Sequence, residues 1–274
     1  MEQIPLEDNY ADVVGKAQRG LSLSDTELAR RAGIPMTELG HFKGGGFDAD
    51  TARKVAGPLN LGAGALIELG NKSWYPQPVE LDGLAAFNTP YHDMTVNSYL
   101  VFDPKTKLAA AFDTGATVAG MLGLAQGRQL KIESIFITHS HGDHIADLQC
   151  LESTTKAPAY VGENEKFHGP QTFAPGKVFH VGGLKIETRQ TSGHARGGIT
   201  YVVTGLARRL AVVGDALFAA SMGGGMVSYE EALRTNRKEI FSLPDDTIIC
   251  PGHGPLTTVG EQKKHNAFFP EFSR

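Results

Sequence analysis

The stretch THSHGDH, Thr138 to His144, follows directly on the apolar run Ile132 to Ile137, which reads as a buried strand. His139 and His141, two apart on an extended segment, point the same way. Gly142 then permits a tight turn before Asp143 and His144, a pair that can open a helix. A lone histidine at a strand end is usually a satisfied core or surface group. Four ligand-type side chains in this order suit two adjacent metals.

The same device recurs downstream. Leu184 to Gln190 reads as a strand running into Thr191-Ser192-Gly193-His194, Arg209 to Val213 as one running into Gly214-Asp215, and Thr247 to Cys250 as one running into Pro251-Gly252-His253. Each time a His or Asp follows an apolar strand and is flanked by glycine, so four strand ends are expected to converge. In α/β architectures the crevice outside the carboxyl ends of strands is where sites form.

Around this centre, Asn97 to Phe102 and Leu108 to Phe112 read as strands, Val118 to Gln126 as a helix, His144 to Thr154 as a helix, and Ala159 to Val161 as a strand. Gly162 to Lys177 reads as a long loop and a substrate wall. The turn Asp113-Thr114-Gly115 is structural, with a supporting contact to the metal site as its further role. His92, His168 and Arg196 are the expected substrate contacts, Arg196 through an anionic group. Tyr160 and Tyr229 are further pocket candidates, and His180 and His265 read as structural or solvated.

The chain has 274 residues, 41% hydrophobic and 20% charged, enough for a large and a small domain. A net charge of -4 gives no global attraction to nucleic acid or to an anionic membrane surface. The start is acidic and polar and no run of about 18 apolar residues occurs, so the expectation is a cytoplasmic protein with no membrane partner. Cys150 and Cys250 both read as reduced and buried.

Before the centre the pattern is helical. Asn9 to Gln18, Asp25 to Ala32, a short helix to about Phe42, Asp50 to Leu59 and Ala63 to Leu69 make five helices, with Ser24 and Glu27 forming a capping box. Residues 1–72 are expected to be a small all-α domain, 73–79 a linker, and 80–274 the catalytic domain. The stretch TELARRAGIPMTELGHFKGG, residues 26–45, resembles the helix-turn-helix of Xre/Cro-type regulators, which implies DNA binding. Charge points the other way: seven basic side chains face ten acidic ones over residues 1–70. The reading preferred here is packing or self-association into a homo-oligomer, without DNA.

THSHGDH, with SGHARGG, VGDALF and CPGHGPLTTVGEQKKHNAFF, resembles the metallo-β-lactamase superfamily and its glyoxalase II-like branch over about Glu80 to Arg274. The resemblance implies an α+β fold, a four-layer αβ/βα sandwich, with a binuclear site. Carried over, His139, His141 and His194 would hold one ion and Asp143, His144 and His253 the other, with Asp215 bridging. Two divalent ions are implied, zinc first, with iron or manganese admissible. A bridging hydroxide would then attack the carbonyl of a small-molecule thioester, ester or lactone, with Asp143 as the catalytic residue that orients it, a hydroxyacylglutathione hydrolase-like activity. After the bridging Asp that branch carries a Gly-Arg-x-Asp-Phe pattern and, further on, a C-terminal helical domain that binds glutathione. This chain instead reads AASMGGGMVSYEEAL and is expected to act without those glutathione contacts, through a flexible loop from Ser221 to Val227. The rival readings are a mononuclear iron persulfide dioxygenase on His139, His194 and Asp215, and a DNA-binding regulator with a metal-binding sensor domain.

Overall fold

The computed structural model describes residues 3–165 and 167–273. Five helices lead: α1 (Tyr10–Gly20), α2 (Asp25–Ala32), α3 (Met36–Lys43), α4 (Ala49–Ala56) and α5 (Ala63–Asn71). Asn9 starts α1 with a full capping box, its side chain accepting from the N–H groups of Ala11 and Asp12 while Asp12 accepts from its own. The box expected at Ser24 is half made. Ser24 accepts from the Glu27 N–H, but the Glu27 carboxylate turns instead to Arg30 and Arg31.

Two six-stranded sheets follow. The first runs β1 (Leu84–Tyr91), β2 (Met94–Phe102), β3 (Leu108–Phe112), β4 (Lys131–Ile137), β5 (Ala159–Gly162), β6 (Gln171–Phe173), with parallel pairing from β3 onward. The second holds β7 (Val178–Val181), β8 (Leu184–Gln190), β9 (Ile199–Thr204), β10 (Leu210–Gly214), β11 (Ile248–Pro251) and β12 (Thr257–Thr258), adjacent in sequence order, with only β10 and β11 parallel. Helices α6 (Ala119–Gly127), α7 (Gly142–Ile145) and α8 (Leu148–Thr155) accompany the first sheet, and α9 (Tyr229–Thr235) and α10 (Val259–His265) the second.

Strand alternation sorts the core into layers. Tyr99, Val101, Phe112 and Phe136 point inward and meet Ile186, Tyr201, Val212 and Ile248 of the facing sheet. Their neighbours Leu100, Ile135 and Ile137 point outward, under Met121 of α6 and Leu148 and Leu151 of α8. On the other side Val202, Ala211, Val213 and Ile249 pack with Ala232 and Val259. That cluster runs on without a break into Val13, Leu28, Phe42 and Leu66 of the N-terminal helices. The architecture is the expected α+β sandwich of two sheets between helices, and its outer helical layer on one side is completed by α1 to α5.

Several local expectations change. Leu84–Tyr91 is a strand, and pairs along its whole length with β2. The long loop after β5 contains β6, paired to β5. The helix expected over His144–Thr154 breaks at Ala146 and Asp147, because Asp147 turns its carboxylate to the Val118 N–H (2.8 Å) and its own N–H to Thr114 (3.2 Å). Cys150 is exposed, lying on the solvent side of α8, whereas Cys250 is buried. Among the described residues no helix is long and apolar enough to cross a membrane.

Candidate metal centre

The carboxyl ends of β4, β8, β10 and β11 meet at one edge of the sandwich, and all seven expected side chains meet there. His139, His141, His194 and Asp215 form one group and Asp143, His144 and His253 a second, with ligand atoms within 4.8 Å of one another in each. In the first, His141 Nδ1 lies 3.0 Å from His139 Nε2 and 3.1 Å from His194 Nε2. In the second, Asp143 Oδ2 lies 3.2 Å from His253 Nε2 and 3.4 Å from His144 Nε2. Asp215 stands between them: Oδ1 is 3.3 Å from His144 Nε2, and Oδ2 is 3.3 Å from His194 Nε2 and 3.4 Å from His253 Nε2.

The outer ring nitrogens have partners that fix the tautomers. His144 Nδ1 donates to Asp113 Oδ2 (2.8 Å), His194 Nδ1 to the Gly224 carbonyl (3.0 Å), and His253 Nδ1 to the Thr95 carbonyl (2.7 Å). Thr138 Oγ1 donates to Asp113 Oδ2 (2.8 Å) and so accepts from His139 Nδ1 (3.0 Å). Asp113 also takes the Thr138 N–H (2.7 Å). It adopts φ +53°, a left-handed conformation that non-glycine residues rarely occupy. The supporting contact expected of the 113–115 turn is therefore a carboxylate that orients a histidine of each group.

Three further residues, none of them among the candidates the sequence offers, hold the loops of the site. Glu165 is buried, and its carboxylate accepts from the Ser140 N–H (3.0 Å), the Ser140 hydroxyl and the Gly197 N–H (2.7 Å), clasping the loops of His139 and His194 together. Asn97 on β2 donates to the carbonyls of Pro251 (3.0 Å) and Gly254 (2.8 Å), and Tyr99 donates to Pro251 (2.6 Å), so the first sheet grips the loop of His253. The apolar run Tyr99–Phe102 of β2 was a signal for Tyr99. A carboxylate inside an aperiodic loop carries no such signal.

The donor set fits divalent cations. His144 Nε2 and Asp215 Oδ1 are buried and have no hydrogen-bond partner among the described residues, a costly condition that a cation between them relieves. Burial lowers the basicity of His139 and His194, as a neutral imidazole ligand requires. Burial also opposes charge on His144 and His253, but the carboxylates around them win. Asp215 and Asp113 raise His144 to about 10, and hydrogen bonds to Asp143 and Asp215 raise His253 to about 11. Asp215 is held well below the usual carboxylate range: burial pushes it up, and His144 and His253 outweigh burial. Without a cation, protons neutralise this half of the site.

A cavity of about 720 Å³ opens onto His141, Asp143, His194, Asp215 and His253, while His139 and His144 lie behind them. Tyr91, Met94, Phe218 and Met226 supply its apolar lining. His92, His168 and Arg196, the expected substrate contacts, are not part of that lining. His92 sits at φ +53° in the β1–β2 turn, its ring against Tyr91 (4.5 Å), and the turn presents Tyr91 and Met94 to the cavity instead. His168 and Arg196 are exposed on loops outside it. Tyr229 is committed to packing at Gly20 and Phe268, and its burial raises its hydroxyl to about 12.

The glycine-rich segment is more constrained than the expected flexible loop. Ser221 and Met222 are fully buried, and a Cβ on Gly223 would run into the Asp215 carbonyl oxygen and stand 2.9 Å from His194 Nδ1. Glycine there lets the backbone come close enough for Gly224 to orient His194.

Two sheets with helices outside them, and histidines and aspartates gathered at the strand ends, define a metal-site hydrolase fold. The model of the metallo-beta-lactamase superfamily matches residues 93–253, and the chain belongs to that superfamily. It is similar to a protein of Streptococcus pyogenes described as "Probable metallo-hydrolase", 25% identical over 67% of this chain and 89% of that one. It is also similar to a hydroxyacylglutathione hydrolase of Pseudomonas entomophila, 29% identical over 64% of this chain and 66% of that one. Among solved structures it resembles ETHE1 from Myxococcus xanthus, with a TM-score of 0.58 and 25% identity over 66% of this chain and 83% of that one.

Proposed function

We infer that this protein is a binuclear metal-dependent hydrolase of thioesters, esters or lactones, cytoplasmic, with zinc as its first expected metal and iron or manganese as alternatives. The observation that carries this reading is the placement of Asp215 between two complete ligand groups, with its Oδ1 and the facing His144 Nε2 left orphaned. Two divalent ions bound there would bring the pKa of water near neutrality and polarise a carbonyl. Asp143, half-buried in the cavity lining, would orient the attacking water and accept its proton. Water adds to the carbonyl carbon, the bond to sulfur or oxygen breaks, and the leaving thiolate or alkoxide takes up the proton. The likeness to a hydroxyacylglutathione hydrolase supports the thioester class. The Ser221–Val227 segment supplies no arginine, so glutathione recognition is not part of the reading.

The mononuclear iron persulfide dioxygenase would use His139, His194 and Asp215 and leave Asp143, His144 and His253 without a task, so the second group favours the hydrolase. For residues 1–72, joined through 73–79 to 80–274, we read a packing unit that can also mediate self-association, in place of the DNA-binding domain that the Xre/Cro likeness implies. On α3 the exposed residues include Thr37, Gly40 and His41, and Lys43 is tied to Asp25 (2.5 Å) and Gln18 (2.9 Å), a poor surface for phosphates or base edges.

Metal analysis with a panel of thioesters, aryl esters, lactones and phosphoesters tests the reading. Two metals per chain with ester or thioester turnover is the expected result. One iron per chain with oxygen uptake on glutathione persulfide overturns it.

A further inference from the structure

The sandwich does not wall the cavity alone. Glu7, from the stretch before α1, and Lys16, Arg19 and Gly20 of α1 line the same cavity as His141 and Asp215. The first helix is bolted in place there. Asp8, buried, accepts from Lys16 (2.5 Å) and from Ser221 of the segment after Asp215 (2.6 Å). Lys16 also donates to the Met222 carbonyl (3.0 Å) and lies 5.2 Å from the centre of the Phe218 ring. Gly20 lies so flat against Tyr229 that a Cβ there would enter the ring.

These contacts leave two cations in different states. The charge of Lys16 is matched by Asp8. Arg19 is exposed, its Nη1 lying over Gly15 of the same helix, and among the described residues no carboxylate stands within ion-pair distance of its guanidinium. Met94, Met226 and Phe218 give the cavity that Arg19 shares with the ligand groups its apolar lining, and the Phe218 ring lies 5.7 Å from that of His253. A cavity that joins the His/Asp groups, the Glu7 carboxylate, an apolar lining and a planar, two-pronged cation suits a molecule with an apolar body and an anionic group.

We propose that α1 is the specificity wall of this site, and that Arg19 recognises a carboxylate carried by the substrate at the end remote from the scissile carbonyl. The proposal rests on the hydrolase reading and names its substrate class: acyl compounds with an apolar body and an anionic tail. Arg19 is on this account a binding residue. The acidic N-terminal helices serve small-molecule selection at this face.

The test uses S-acetyl thioesters of ω-mercapto acids, two to eight carbons long, each paired with its neutral carboxamide. In the zinc-loaded full-length protein, kcat/KM for the acid should exceed that for the amide by about 10-fold at the best chain length, the order expected of a charge-assisted contact. In Arg19→Ala the ratio should fall to about 1, in Arg19→Glu below 1, and Arg19→Lys should restore part of it. Calorimetric binding of the same acids to the chelator-treated protein should weaken about 10-fold in Arg19→Ala, independently of turnover. A wild-type ratio near 1 at every length, or parallel losses for acid and amide that leave the ratio unmoved, overturns the proposal. Arg19-dependent binding without turnover of any ester would end the hydrolase reading and leave this one standing. Turnover without an Arg19-dependent ratio does the reverse, and absence of both removes both.

Discussion

At the scale of single residues, the proposed ligands differ from the groups that aim them. His141→Ala or Asp215→Ala removes a donor from a closed set, and both variants should lose metal stoichiometry and essentially all turnover while keeping the wild-type circular dichroism spectrum. Retained full activity in either would remove the mechanism. Asp113 acts one step back. Asn tolerates its left-handed backbone and keeps its shape, so Asp113→Asn should preserve the fold but weaken metal affinity by about 10- to 100-fold, as loss of such supporting partners does. A chelator competition titration measures it. Gly223→Ala forces a methyl into the Asp215 carbonyl and should cost most of the activity, whereas Gly224→Ala meets only Met226 Cγ at 3.9 Å and should stay near wild type, read as zinc content and thioester turnover.

At the scale of elements, legibility followed from periodicity and punctuation. The strands that deliver the candidate ligands are apolar or alternating stretches followed within four residues by His or Asp, so Lys131–Ile137, Leu184–Gln190, Leu210–Gly214 and Ile248–Pro251 are visible in the chain with small shifts at their ends. Leu84–Tyr91 was not visible: LAAFNTPY is half-buried along an edge, carries Asn88 and Pro90, and gains its identity only by pairing with β2. The candidate ligand set was legible because metal donors cluster by type. Glu165 and Asn97 were not, because what marks them is a partner 25 to 157 positions away. The lining from α1 was equally hidden, since nothing in Lys16 or Arg19 announces which cavity their helix will cover.

For the whole molecule, one apolar interior spans the N-terminal helices and the outer face of the second sheet. Removing residues 1–72 therefore uncovers Tyr229 and the Ala267–Pro270 stretch, against which Gly20 and Gly62 lie, and the truncated protein should aggregate on expression where the full chain stays in solution. Thermal unfolding of the full chain should show one transition by both calorimetry and circular dichroism. Acid and base act on the centre in opposite senses. At pH 7 the metal-free protein holds protons on His144 and His253, raised to about 10 and 11, so metal loading must release them. Calorimetry in buffers of different ionisation enthalpy should show that release and an affinity that falls as pH falls. Because His144 is raised above its usual 6.5, its contribution to the metal-free fold is complete below that pH and is lost as pH rises through about 10. The Tm of chelated protein should drop over that window.

Asp113 touches His144 directly and His139 through the Thr138 hydroxyl, so a single anion is shared between the two halves of the centre. Neither half can be retuned in isolation. On the two-metal reading, a lineage that altered this carboxylate to favour a different ion in one position would disturb its neighbour in the same step, and any shift in metal preference would come as a joint change of the pair.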